Sequence, residues 1–319
     1  MDTQATPTPA GAEVIVFLGP AGTFTEEALF TQPDYATAEV VPAATLAEAL
    51  DAVHQGRATL AFVPIENAIE GTVNATVDSL VFETDLLIQR EVVLDVHIAL
   101  AAPPGAELGT IKRVLSFPHA SGQCRRYLAE ELPGVEVVPT NSTAEAARIV
   151  GQEARHDTAA LAPRLAAELY GLRVLVPSVA DHPDNQTRFV ALAPGGIPAP
   201  SGHDKTSIVC FQREDHPGSL HGILSEFSAR NINLSKLESR PTKRGLGDYC
   251  FLIDLEGHLS DEVVADCLRV LHAELPAVKF LGSYPAAGSH APAARARADA
   301  AWHDAEEWLS GLRAQMRRE

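Results

Sequence analysis

Short apolar runs alternate with amphipathic segments over the first half of the chain. Residues 14–18 and 60–63 are apolar runs of the length of a buried strand, and residues 46–54 between them have the spacing of a helix, which Gly56 ends. Because strand, helix and strand follow each other in this order, we expect a parallel sheet. Its binding loops should lie at the carboxyl ends of the strands.

The same scheme repeats further along the chain, which predicts a second lobe. A long extended segment at 87–98 is interpreted as the crossing between the lobes. The repeat then comprises strands at 114–116, 135–138 and 158–161, with helices at 120–131 and after Ser142. A strand at 188–192 is expected to return to the first lobe, so the polar residues just before it should lie at a hinge.

A different pattern begins after a linker rich in proline and glycine at 193–202. The order strand, helix, strand, strand, helix, strand indicates a ferredoxin-like α+β domain. We therefore predict a disordered N-terminus at 1–12 and an α/β two-lobed domain at 13–194, with lobe 1 at about 13–95 and 187–194 and lobe 2 at about 96–186. A linker at 195–204, the ferredoxin-like domain at 205–284 and a helical tail at 285–319 complete the predicted division.

Composition narrows the classes of function. The formal charge of -17 over 319 residues excludes a basic phosphate-binding surface, so no nucleic acid partner is expected. No apolar stretch is long enough for a membrane span and the N-terminus lacks the pattern of a secretory signal, so the expected location is cytoplasmic. Far-apart cysteines without a CxxC pair predict buried reduced thiols and no metal site; they are Cys124, Cys210, Cys250 and Cys267.

The most informative polar group is the run from Asn185 to Phe189. It brings the amide of Asn185, the hydroxyl of Thr187 and the guanidinium of Arg188 to the mouth of a predicted strand. An arginine fork beside neutral donors is suited to a small substrate that carries carboxylates. The alternative is that Thr187 and Phe189 are ordinary strand formers and Arg188 is a surface charge.

Three more segments place polar residues where a strand ends and a helix begins. In the first, Thr23 and Glu26 are predicted to form a capping box. In the others, Glu66, Asn67, Ser116 and Gln123 either face a cleft or act as caps. The segments are 19–24, 63–78 and 116–124.

Together these motifs resemble the prephenate dehydratases, over nearly all of residues 14–281. They stand in the order of that family: Gly19-Pro20-x-Gly22-Thr23-Phe24-Thr25, Pro64-Ile65-Glu66-Asn67, Gly71-x-Val73-x-x-Thr76-x-Asp78, Gln123-Cys124, Asn185-x-Thr187-Arg188-Phe189 and Glu238-Ser239-Arg240-Pro241. The resemblance implies a catalytic domain with a fold similar to type 2 periplasmic binding proteins, followed by an ACT domain that binds phenylalanine.

The resemblance also implies the chemistry. Prephenate loses its ring hydroxyl and carbon dioxide together, aromatisation drives the reaction, and neither a cofactor nor a metal is expected. The implied catalytic residues are Thr187, Glu66 and Asn67, and whether Thr187 or Glu66 assists departure of the hydroxyl stays open. The implied substrate contacts are Arg188, Phe189, Gly22, Thr23, Ser116, Gln123, Thr76 and Asn185.

In the ACT domain the resemblance implies that L-phenylalanine binds between paired domains and inhibits, in a homodimer or homotetramer. The implied contacts are Gly218, Ser219, Leu220, Glu238, Ser239, Arg240 and Pro241. In the catalytic part, Ala68 stands where serine is common in the family, and residues 117–119 stand where the family often has His-Pro-Gln. These positions are not expected to carry indispensable chemistry. Arogenate dehydratase and a non-catalytic amino-acid sensor on the same fold are the alternatives.

Overall fold

A computed structural model describes residues 13–212, 217–243, 248–288, 308 and 311–315. The predicted disordered N-terminus at 1–12 and most of the predicted helical tail lie outside these residues. Within the tail, Trp308 and residues 311–314 are helical. In the described residues the strands form three sheets.

The first sheet contains the strands of the predicted first lobe. Its spatial order is β2 (Glu39–Ala43), β1 (Val14–Leu18), β3 (Leu60–Asn67), β11 (Gln186–Ala193) and β5 (Leu87–Asp95), and the short β4 (Gly71–Thr72) pairs with the end of β3. As predicted, β1 and β3 are parallel neighbours. The helices of this part are α1 (Phe24–Phe30), α2 (Leu46–His54) and α3 (Asn74–Asp78).

Local sequence explains where α2 begins. The Thr45 hydroxyl accepts a hydrogen bond from the Glu48 N–H at 3.1 Å, and the Glu48 carboxylate accepts one from the Ala44 N–H at 2.8 Å. These contacts satisfy main-chain donors that the first helical turn leaves open. Behind the helix, β1 and β3 are buried because their residues are apolar on both faces.

The second sheet has the order β10 (Arg173–Val176), β6 (Ala99–Ala102), β9 (Thr158–Ala162), β7 (Arg113–Ser116) and β8 (Glu136–Pro139). Its helices are α4 (Pro118–Gln123), α5 (Arg125–Glu131), α6 (Thr143–Glu153) and α7 (Arg164–Leu169). As predicted, Ser142 caps α6 and accepts from the Glu145 N–H at 3.0 Å. The helix predicted at 120–131 is instead two short helices that meet at the buried Cys124.

Most of the extended segment predicted at 87–98 is β5, the edge strand of the first sheet next to β11. β6 of the second sheet begins directly after this segment, at Ala99. Hydrophobic alternation identified the extended backbone. It does not distinguish an edge strand from a crossing segment, because both have one face toward solvent.

The third sheet is antiparallel, in the order β13 (Leu234–Pro241), β14 (Tyr249–Glu256), β12 (Asp204–Phe211) and β15 (Ala277–Pro285). With α8 (Ser219–Ala229) and α9 (Glu262–Glu274), the elements follow the predicted order strand, helix, strand, strand, helix, strand. Apolar residues of β12, β14 and both helices form one core that includes Ile208, Ile223, Phe227, Ile253 and Leu271.

The described residues form two compact units, and each unit contains two separate stretches of the chain. Residues up to Asp78 belong with 92–191, whereas 79–91 belong with the residues from Leu192 onward. Within this second unit, Lys205 Nζ lies 3.0 Å from both carboxylate oxygens of Glu91. Lys279 Nζ donates to the carbonyl oxygen of Thr84 at 2.6 Å.

The close approach of segment 79–91 to β15 requires a glycine. At Gly282, φ is +143° and an added Cβ would lie 2.5 Å from the carbonyl oxygen of Ile88. Any side chain at Gly282 would therefore clash with main-chain atoms. The predicted boundaries assign segment 79–91 to the two-lobed domain alone. The sequence pattern gives no sign that this segment packs with the C-terminal unit.

All four cysteines are buried and none of them forms a disulfide, which confirms the prediction of reduced thiols. Burial raises the pKa of Cys124, Cys210 and Cys267 to about 12 in each case. A buried thiol in apolar surroundings is protonated at neutral pH and inert, because the thiolate is the nucleophile.

We expect native protein at neutral pH to resist alkylation by iodoacetamide at all four cysteines, since all four thiols are buried and burial raises the pKa of three of them. The raised pKa alone lowers the thiolate fraction by about 10³-fold. Intact-mass spectrometry measures the added groups. Protein unfolded in guanidinium is the control and should take up four groups; rapid native labelling would contradict the burial.

None of the helices in the described residues has both the length and the apolar character that crossing a membrane requires.

Candidate active site

Asn67 and Thr187 meet where two neighbouring strands, β3 and β11, reach their polar ends. Asn67 Nδ2 donates to Thr187 Oγ at 2.8 Å. The Asn67 Oδ1 accepts from the main-chain N–H groups of Ile69 at 2.9 Å and Glu70 at 3.0 Å. Since the oxygen is bound by two N–H groups, the orientation of the amide is determined. Thr187 is the acceptor in this contact and keeps its own hydrogen.

Arg188 and Glu66 form an ion pair on the same two strands. Arg188 Nη1 lies 3.5 Å from Glu66 Oε2, and Arg188 is 9% exposed. The Glu66 side chain is 35% exposed, so its carboxylate remains partly in water. A carboxylate at this distance can orient the buried guanidinium.

A second group of polar side chains connects α4, a helix next to the second sheet, with the polar ends of β3 and β11. Asn185 Nδ2 donates to Gln123 Oε1 at 2.9 Å, and Gln123 is the last residue of α4. Asn185 Oδ1 accepts from Asn67 Nδ2 at 2.9 Å. Beyond Gln123, its Nε2 donates to Glu70 Oε1 at 3.3 Å, and His119 Nδ1 lies 3.2 Å from the other Glu70 oxygen.

Sequence reasoning missed Glu70 and set His119 aside. Glu70 occupies the turn between β3 and β4, directly before Gly71. The only available signal was its proximity to Glu66 and Asn67. A charged residue in a turn is ordinarily solvated, so sequence alone could not reveal its contacts with the second lobe.

The loop before α1 packs against the second lobe. Gly22 has φ +86°, and an added Cβ would lie 3.0 Å from Ala166 Cα in α7. The predicted capping box of Thr23 and Glu26 is wrong, because the Thr23 side chain makes no cap hydrogen bond and the Glu26 carboxylate accepts from the Gly22 N–H instead. Gly22 is one of the substrate contacts that the family resemblance implies, and its N–H is therefore already bound to Glu26.

Three further residues predicted as substrate contacts are buried. Thr76 Oγ donates to the Pro64 carbonyl at 2.7 Å, and Ser116 Oγ donates to the Phe117 carbonyl at 3.1 Å. The ring of Phe189 stacks on Phe62 with centroids 5.6 Å apart. These contacts support the strands and helices around the site, which favours the alternative that Phe189 is a strand former of the core.

The residues predicted to bind phenylalanine lie at two places in the second unit. Gly218 directly precedes α8, and Ser219 and Leu220 form its first turn. The other four, Glu238, Ser239, Arg240 and Pro241, end β13, the strand at one end of the sheet order. There the buried Arg240 lies 2.6 Å from Glu238 Oε1.

Over the described residues, no group of three or more histidine, cysteine, aspartate or glutamate side chains is arranged to hold a metal ion.

Two family models match this chain. Residues 15–196 match prephenate dehydratase, and residues 206–273 match the ACT domain. The chain belongs to the prephenate dehydratase family. The first match covers more than half of the chain, and it confirms the resemblance that the motifs carried. Prephenate dehydratase of Mycolicibacterium vanbaalenii is 42% identical over an alignment of 313 positions, which covers 94% of this chain and 98% of that protein.

Solved structures agree with this membership. Prephenate dehydratase from Arthrobacter aurescens in complex with L-Phe is 43% identical, covers 94% of this chain and 99% of its own, and has a TM-score of 0.83. GqqA, described as a novel type of quorum quenching acylase, is 31% identical with a TM-score of 0.77 and covers 86% of this chain and 98% of its own. The prephenate dehydratase fold thus occurs with more than one described activity, so individual roles have to be argued from the site.

Proposed function

We propose that this chain converts prephenate to phenylpyruvate, water and carbon dioxide in L-phenylalanine biosynthesis, and that L-phenylalanine regulates it at the ACT domain. The observation that carries the proposal is the contact of Asn67 with Thr187, next to the pair of Arg188 and Glu66, in a chain of this family. This arrangement presents a cation and an oriented hydroxyl within one short stretch of β11.

Binding of the dicarboxylate rests on local donors. The net charge of -17 repels an anion at long range, so the attraction has to come from groups in the cleft. The guanidinium of Arg188 is planar and carries several N–H donors in a fixed fork, a geometry suited to a carboxylate.

The reaction needs no covalent intermediate. The electron pair of the bond between the ring and its carboxylate moves through the ring diene as carbon dioxide leaves, and the hydroxyl on the opposite carbon departs as hydroxide. The hydroxide takes up one proton from the buffered solvent and leaves as water, so the prephenate dianion and one proton give the phenylpyruvate anion, carbon dioxide and water. A site that desolvates the carboxylate and stabilises the departing oxygen lowers the barrier of this single step.

Thr187 is the better candidate for assisting the hydroxyl. Its oxygen accepts from Asn67 Nδ2, which leaves its hydrogen available to the leaving oxygen. An alcohol is a weak acid, so its contribution is a hydrogen bond to the developing hydroxide and not a transferred proton. Glu66 is paired with Arg188, which favours a role in orienting that guanidinium.

The same proposal covers the finer assignment of the fold. The first two sheets correspond to two lobes similar to type 2 periplasmic binding proteins, with the boundaries predicted above, and the third corresponds to a ferredoxin-like ACT domain. The antiparallel order of β13, β14, β12 and β15 with two helices supports the second assignment.

Regulation is assigned to the segments at 218–220 and 238–241. The Arthrobacter aurescens relative was solved in complex with L-Phe, which supports phenylalanine as the ligand here. In this proposal, two ACT domains pair in a homodimer or homotetramer in the cytoplasm, and each phenylalanine lies between the start of α8 in one copy and the end of β13 in the other.

Turnover by the purified full chain tests the proposed function. We expect formation of phenylpyruvate from prephenate, followed by chromatography, and a much lower rate of phenylalanine formation from arogenate. Turnover of arogenate alone would select the other dehydratase, and no turnover of either would select a sensor. Calorimetry tests the regulatory part, for which absent heat on titration with L-phenylalanine would be decisive.

A further inference from the structure

A directed line of side-chain hydrogen bonds ends at Thr187. Its inner part consists of Asn67 Nδ2, which donates to Thr187 Oγ at 2.8 Å and to Asn185 Oδ1 at 2.9 Å, with a longer contact of 3.2 Å to the carbonyl oxygen of Gln186. The main-chain N–H groups of Ile69 and Glu70 bind the Asn67 oxygen, so the amino group of Asn67 has to face the other two side chains.

The outer part of the line is anchored by a carboxylate. Glu70 Oε1 accepts from Gln123 Nε2 at 3.3 Å, which turns the Gln123 oxygen toward Asn185 Nδ2 at 2.9 Å. A carboxylate accepts and does not donate, so Gln123 has only this orientation available. Asn185 therefore lies between an obligatory donor and an obligatory acceptor, and the direction of its own amide is determined from both sides.

We propose that Asn185 is a positioning residue, which holds the amino group of Asn67 on Thr187 Oγ so that the Thr187 hydrogen points to the leaving hydroxyl of the substrate. This inference rests on the proposed function. Asn185 is 1% exposed and both ends of its amide are bound to protein, which distinguishes it from the substrate contact that the family resemblance implies.

The advantage of this arrangement is that it fixes the direction of the Thr187 hydroxyl hydrogen. A hydroxyl turns freely about its C–O bond, and only one direction serves the departing oxygen. When Asn67 occupies one lone pair of the Thr187 oxygen, the hydrogen is directed away from Asn67, and a hydroxyl that accepts one hydrogen bond donates a stronger one. Preorganised donors of this kind cost no reorientation when the bond breaks.

The line also connects the donor to the second lobe. Gln123 belongs to α4, whereas Asn67 and Glu70 belong to β3 and the turn that follows it. The orientation of Thr187 is thus complete only when the lobes have the arrangement seen here.

Kinetics of Asn185 variants in the full chain test this inference. We expect Asn185→Ala to lower kcat by about 10- to 100-fold and to change KM by less than about threefold, because a misaligned group impairs the chemical step more than binding. A raised KM with unchanged kcat would instead show that Asn185 is a substrate contact, and would overturn the inference.

Two substitutions that reverse the direction of these hydrogen bonds should restore kcat. A purely structural role of Asn185 would not produce this recovery. Asn185→Asp keeps the acceptor for Asn67 but forces Gln123 to turn its amide, which places the Gln123 oxygen against Glu70. Adding Glu70→Gln supplies an amino group there and restores the net charge. We expect the double variant to recover kcat at least about tenfold over Asn185→Asp alone; no recovery would overturn the inference.

Circular dichroism and thermal melting establish which variants fold. Should the Asn185 variants not fold, Glu70→Ala at the exposed end of the line is the substitute, with an expected loss in kcat of about 3- to 10-fold at constant KM, and an unchanged kcat counts against the inference. Failure of the wild-type chain to convert prephenate removes the proposed function, whereas wild-type turnover with unaffected Asn185 variants removes the positioning role alone.

Discussion

Replacement of Thr187 by valine is expected to lower kcat for prephenate by about 10²–10³-fold, the loss found when one oriented donor is removed from a developing negative charge. Valine has the same shape and also favours β-strands, so β11 should keep its place. The hydroxyl contributes mainly when the leaving oxygen gains charge, so KM should change by less than about threefold. Steady-state kinetics with phenylpyruvate as the measured product checks both numbers.

Two controls separate the hydroxyl from its neighbours. Thr187→Ser retains the hydroxyl and the hydrogen bond from Asn67, and should keep kcat within about tenfold of the wild type. Glu66→Gln removes the carboxylate beside Arg188 and should also retain most of kcat, because we assign Glu66 to orienting the guanidinium. A loss at Glu66 as large as at Thr187→Val would show that Glu66 is the acid.

Replacement of Lys205 by methionine is expected to lower the free energy of unfolding of the second unit by about 3–5 kcal/mol, because it removes a cation that lies against a buried carboxylate. The side chain of Glu91 is 1% exposed, and both of its oxygens lie 3.0 Å from Lys205 Nζ. The Ala287 N–H, 3.2 Å from Glu91 Oε1, continues to donate to Glu91 in this variant. We therefore expect a loss of stability near the lower end of this range. Urea unfolding followed by circular dichroism measures the change.

An exposed ion pair gives the matched control. Arg164 and Glu168 lie 2.8 Å apart with side chains 79% and 60% exposed, so Arg164→Met should change the free energy of unfolding by less than about 0.5 kcal/mol. Adding Glu91→Gln to Lys205→Met removes the buried negative charge that Lys205 offsets and should recover most of the stability. Equal effects of Lys205→Met and Arg164→Met would contradict the importance of the buried pair.

The family and the main elements could be predicted from the sequence because their signals are local. Thr45 and Ser142 lie three residues from the N–H groups that they cap, and the apolar runs of β1 and β3 indicate burial whatever they pack against. The motif around Thr187 and Arg188 indicated an anion site, since the chemistry of those side chains does not depend on distant residues.

The arrangement of side chains within the site could not be predicted in the same way. Asn67 and Asn185 are 118 positions apart, and Glu70 is 53 positions from Gln123. Hydrophobic periodicity states which face of an element is buried and says nothing of which polar groups meet there. The same limit applies to Phe189, whose place in a strand did not reveal that its ring stacks on Phe62.

By itself, then, the sequence determined the family, the order of helices and strands, the buried thiols and the residue types available for binding an anionic ring acid. Only the tertiary structure decided that Glu26 occupies the Gly22 N–H, that Asn185 is enclosed by protein partners, and that segment 79–91 packs with the C-terminal unit. The physical reason is range: caps and periodicity act within a few residues, whereas hydrogen bonds and ion pairs between distant segments exist only after the sheets have brought them together.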